Sequence, residues 1–118
     1  MIKNFIERIF WIQDQLKLSC WQENRLYHTI ELNKFYDTIV FKFDIMVKAY
    51  AGIEKEIIVS EQLYILENNI DVNKIIDEIK DFMDFIKTDP GGWGGAMQSI
   101  VDEILMSTEV FSNTFNKQ

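Results

Sequence analysis

The chain has 118 residues, 47% hydrophobic and 14% aromatic, which is enough for one domain with a real core. Its net charge of -7 repels phosphate backbones, and its twelve basic residues are spread along the whole chain, so no basic arm or stripe for nucleic acid is expected. The single cysteine excludes an internal disulfide, no signal-peptide pattern opens the chain, and charges interrupt every apolar run before the roughly 18 residues that span a bilayer, so a cytoplasmic protein outside the membrane is expected.

One proline and five glycines, four of them between Gly91 and Gly95, leave room for long uninterrupted segments. The first predicted helix covers about residues 2 to 20, because Ile2, Phe5, Ile6, Ile9, Ile12 and Leu16 recur at spacings of three and four. Phe10, Trp11 and Leu18 lie off that stripe and give the helix a second sticky face, either a broader core or a contact between subunits. The second helix runs from about 24 to 50 with Leu32, Phe35, Ile39, Phe43, Met46 and Tyr50 in the same rhythm. Residues 53 to 70 lose the helical period, are either extended or a short helix, and read as a connector, the crossover covering about 51 to 70. Asp71 is an N-cap for the third helix, about 71 to 88, whose Val72, Ile75, Ile76, Ile79, Phe82, Met83 and Ile86 share a face until Asp89-Pro90 stops it. The fourth helix covers about 96 to 115, with Met97, Ile100, Val101, Ile104, Phe111 and Phe115 inward.

Connection length then selects a topology. Short turns make helices one and two, and three and four, antiparallel neighbours, whereas about twenty residues between helices two and three, at roughly 3.3 Å each, can return along the whole bundle. The second and third helices are therefore expected to run parallel. The expected fold is an all-α, ferritin-like four-helix bundle with one long crossover.

The only cysteine and the only histidine stand eight positions apart, with carboxylates following at Glu31, Asp37 and Asp44. His28 and Glu31 lie about 60° apart on one helix face and can share an ion or a hydrogen bond, while His28 and Asp44 are rotated by roughly 160° at 100° per residue, so one helix cannot aim both at one ion. A site using both needs a second subunit. Lys34, Asp37, Asp44 and Lys48 form a stripe that reads as a solvated, internally paired face. Cys20 is expected to pack, and Asp102 and Glu103 to divide, one outward and one toward a neighbouring helix. DPGGWGG, residues 89 to 95, lacks the Gly-Lys-Ser/Thr ending of a phosphate loop and reads as turn punctuation.

Trp21-Gln22, Tyr27-His28, Lys34-Phe35-Tyr36-Asp37, Asp44 and Ala49-Tyr50-Ala51-Gly52 make a WQ...H...FYD...D...AYxG pattern, and residues 99 to 104 read SIVDEI. In these residues the chain resembles small Dps-like, ferritin-like proteins encoded mainly by tailed bacteriophages. The resemblance implies an oligomeric helical protein of phage origin, in the host cytoplasm or with the virion. In the wider Dps family two His, an Asp and a Glu bind iron across a dimer interface. Those positions fall on Cys20, His28, Asp44 and Lys48, so two of the four ligand types are missing and an ammonium replaces a carboxylate.

Two functions from different classes follow. The first is a non-catalytic oligomeric assembly, cargo or interaction module with a degenerate metal site, needing no cofactor, whose contact residues are Trp11, Trp21 and Trp93 together with Phe41. The second is a miniferritin that binds and oxidises or sequesters iron through His28, Glu31 and Asp44. A small host-directed inhibitor with an acidic decoy surface is a third reading.

Overall fold

The computed structural model describes residues 5–54, 64–88 and 94–117. Among these are four helices and no strand: α1 (Phe5–Gln22), α2 (Leu26–Glu54), α3 (Val72–Thr88) and α4 (Gly95–Phe115). The apolar face read for each helix is the one that is buried, from Phe5, Ile9, Ile12 and Leu16 on α1 to Ile100, Ile104 and Phe111 on α4. The Asp89-Pro90 stop lies outside the described residues, as does Trp93.

Helix starts follow local chemistry. Asp71 Oδ1 accepts the Asn73 N–H at 2.9 Å and the Asp71 carbonyl accepts from Lys74, the expected N-cap of α3. The start of α2 shifts to Leu26 because Glu23 folds its side chain back onto the Arg25 N–H at 3.0 Å, which keeps residues 23 to 25 outside the helix. Beyond Tyr50, α2 continues to Glu54, four residues past the expected end, with Gly52 inside the helix.

Helix directions can be read from side-chain pairs. Between α3 and α4, Asn73 meets Asn116, Lys80 meets Glu109 and Lys87 meets Asp102, so numbers rise on one helix as they fall on the other. Between α2 and α4, His28 meets Phe115, Phe35 stacks on Phe111 and Lys42 meets Glu103. Phe5 stacks on Tyr50, and Lys17 sits over Tyr36, making α1 and α2 antiparallel. Phe5 also meets Phe82, and Arg8 meets Glu78, making α1 and α3 antiparallel. Since both α2 and α3 oppose α1, they run parallel. They sit on a diagonal with their backbones apart, meeting only through side chains such as Phe43 and Phe82, and α1 and α4 occupy the other diagonal.

The return of the chain is visible over its last eight residues. Residues 64 to 69 climb along α1 in its own direction: Trp11 donates its indole N–H to the Ile65 carbonyl at 3.1 Å, Gln15 holds the Glu67 N–H and C=O at 3.0 and 2.7 Å, and Gln22 accepts from the Asn69 N–H at 2.7 Å. Asn69 takes a left-handed conformation, φ 53°, that turns the chain into α3, a geometry that asparagine tolerates. Part of the second face of α1 is thus a backbone-binding strip for the connection.

The hydroxyl of Tyr64 donates to Asp14 Oδ2 at the same strip. That bond, then burial and the Asp14 charge, pushes the phenol up to about 12 from its ordinary 10.0. The folded value exceeds the unfolded one, so the contribution to stability is complete below pH 10 and is lost as pH rises toward 12. A spectrophotometric titration should show the Tyr64 phenol ionising well above its ordinary 10.0, and Asp14→Asn should bring it back toward that value.

Candidate functional site

At the corner end of the bundle, the turn between α1 and α2, the start of α3 and the end of α4 enclose a cleft of about 300 Å³ lined by Glu23, Arg25, His28, Asp71, Asn73 and Phe115. A neighbouring hollow of about 380 Å³ shares Glu23, Arg25 and Ile70 with it and adds Ser19 and Gln22. His28 is 4% exposed, tilted against the Phe115 ring at 4.2 Å, and neither ring nitrogen has a hydrogen-bond partner; its Nδ1 lies 4.0 Å from Glu23 Oε2. Ser19 Oγ is also buried without a partner. Burial alone would push the Glu23 carboxyl up, but the Arg25 N–H and guanidinium, with the His28 imidazole, outweigh it and hold the group below its ordinary value.

The other expected ligands go elsewhere. Glu31 pairs with Lys34 at 3.7 Å and lines the groove between α2 and α4, beside Met106 and Val110. Asp44 is exposed and lies sixteen residues from His28 on one continuous helix, about 24 Å along its axis. His28 faces inward and Asp44 outward, as their rotation requires, so within one subunit the three residues do not meet. No group of three His, Cys, Asp or Glu able to hold a metal occurs among the described residues. Lys34, Asp37, Asp44 and Lys48 are all exposed, the solvated face read from the spacing.

Cys20 packs in the core, where burial pushes its thiol up against the opposing pull of Lys17. Asp102 and Glu103 do not divide, one outward and one toward a neighbouring helix, because both reach across to such a helix. Both are exposed, and each reaches a different neighbour, Lys87 of α3 at 2.7 Å and Lys42 of α2 at 3.3 Å.

Of the expected contact residues, Trp11 is half-buried and bonded to the connection, while Trp21 is 74% exposed and Phe41 is 66% exposed. Trp21 stands on one outer stripe of α1 with the exposed Phe10, and Ile65 and Leu66 are exposed on the connection that runs along the same helix. Reading the sequence missed Ile65 and Leu66, because a segment without periodicity gives no sign of which side chains it turns outward. It also missed Ser19 and Glu23 as lining of the cleft, since two helices and a turn bring them there.

No protein-family model, curated protein or solved structure matches this chain. No described helix is long and apolar enough to cross a membrane.

Proposed function

We propose that this protein is a non-catalytic, self-associating bundle of the ferritin-like kind, acting as an assembly or interaction module in phage biology. The observation that carries the reading is the outer side of α1, where Phe10 and Trp21 stand exposed on one stripe, with Ile65 and Leu66 exposed on the connection that runs along the same helix. Large apolar side chains gathered on one side are what a contact surface needs, and Trp is the residue type most often central to one. The ferritin-like part is supported by parallel α2 and α3 on a diagonal, joined by one long crossover. The phage part is supported by the sequence resemblance alone.

A second reading, an iron-binding miniferritin, draws on the two ring nitrogens of the buried His28, neither of which is hydrogen-bonded. It requires a neighbouring subunit to complete the ligand set, because Asp44 lies on the far side of the helix. Anaerobic ferrous titration, followed by optical detection of oxidation on admitting air, separates the two. We expect no stoichiometric binding; binding that saturates and disappears in His28→Ala would replace the first reading with the second.

A further inference from the structure

We infer that two copies of this chain pair through the outer stripe of α1, antiparallel about a two-fold axis, which names the partner and register for the contact surface proposed above and rests on that reading. The stripe is Phe10, Asp14, Lys17 and Trp21, spaced four, three and four. That is the rhythm that keeps one side of a helix facing a second helix. A two-fold contact must be self-complementary, each position meeting its counterpart in reverse order. Centred between Gln15 and Leu16, the antiparallel register sets Phe10 opposite the partner's Trp21 and Asp14 opposite the partner's Lys17, and each pairing occurs twice. Apolar meets apolar and acid meets base along the seam.

Three features of the molecule favour a second copy as the occupant. The seam is charge-balanced, whereas two copies of a chain with net charge -7 repel over most of their surfaces. The outer side of α3 exposes Asp77, Glu78, Asp81 and Asp84 against Lys74 and Lys87, and that of α4 exposes Asp102, Glu103 and Glu109. A cationic partner would be drawn to those acidic sides; the α1 stripe offers it nothing. The charged members of the seam are also held in place within the chain, Asp14 by the Tyr64 hydroxyl and Lys17 by the Tyr36 ring at 4.7 Å, so less side-chain freedom is lost on pairing. Finally, the connection that runs along α1 carries two further exposed apolar residues, Ile65, 84% exposed, and Leu66, where a single helix alone would bury little.

Charge exchange on the full chain tests the register, with sedimentation velocity as the readout and circular dichroism confirming that each variant is folded. Asp14→Lys alone sets two lysines opposite each other at both contacts, and Lys17→Asp alone sets two aspartates there. Each should self-associate about tenfold more weakly than the parent. An equimolar mixture of the two should recover the dimer, because every contact then pairs Lys with Asp; the double exchange on one chain should recover it too. Phe10→Ser, which leaves Asp14 and Lys17 in place, should weaken pairing without altering charge. If the parent associates but the exchanges and Phe10→Ser leave it unchanged, the seam is wrong while self-association stands. If the parent stays monomeric at every concentration, the seam and the proposed function fall together.

Discussion

Replacing Phe82 with alanine is expected to lower stability by about 3–5 kcal/mol, a large share of the roughly 5–15 kcal/mol available to a domain of this size. Phe82 is fully buried on α3, its ring meeting Phe5 of α1 at 5.7 Å and Phe43 of α2 at 6.4 Å. Three helices therefore border the cavity its removal would leave. The guanidinium of Arg8, 4.7 Å above the ring, would also lose the aromatic face it covers. Thermal unfolding followed by circular dichroism should show a midpoint lowered by roughly 10–20 °C. Phe82→Leu, which refills most of the volume, should lose much less. A Phe82→Ala midpoint within a few degrees of the parent would mean that α3 does not pack its face where the diagonal arrangement requires.

Gln15→Leu should cost about 2–4 kcal/mol, although it replaces a polar core residue with an apolar one of similar length. Gln15 is 0% exposed and its amide engages both the N–H and the C=O of Glu67. Leucine offers neither bond, so a backbone donor and acceptor lose their partners together, and the connection loses its central tie to α1. The neighbouring ties, Trp11 to Ile65 and Gln22 to Asn68 and Asn69, are more exposed and weaker. Hydrogen exchange resolved by residue should therefore accelerate at Glu67 and Asn69 far more than in α4, which is remote from this strip. Uniform acceleration along the chain would show that the connection and the bundle open only as one unit.

The helical faces were legible because core packing repeats every three to four residues, and the diagonal topology followed from the length of one connection. The polar members of the core were not. Gln15 interrupts the apolar rhythm of α1 and Thr108 that of α4, yet both are fully buried, Gln15 through the connection and Thr108 by donating its hydroxyl to the Ile104 carbonyl at 2.7 Å. Periodicity cannot announce a polar residue whose partner is backbone, whether in its own turn or some fifty residues away. The helix angles separated His28 from Asp44 correctly, but the surroundings of His28 come from the turn at Glu23, the start of α3 and the end of α4, three places that only the fold brings together. Phe10 and Leu18 were legible as part of a second face of α1. That the connection runs along its Trp11 side while Phe10 stays exposed was not, since the connection carries no periodic signal.

Sedimentation equilibrium of the full chain over a wide concentration range, with and without ferrous iron under anaerobic conditions, tests most directly whether the molecule works by contact between subunits. Reversible association that follows mass action and is indifferent to iron is the predicted result. A monomer throughout, or an assembly that forms only when iron is present, would contradict it.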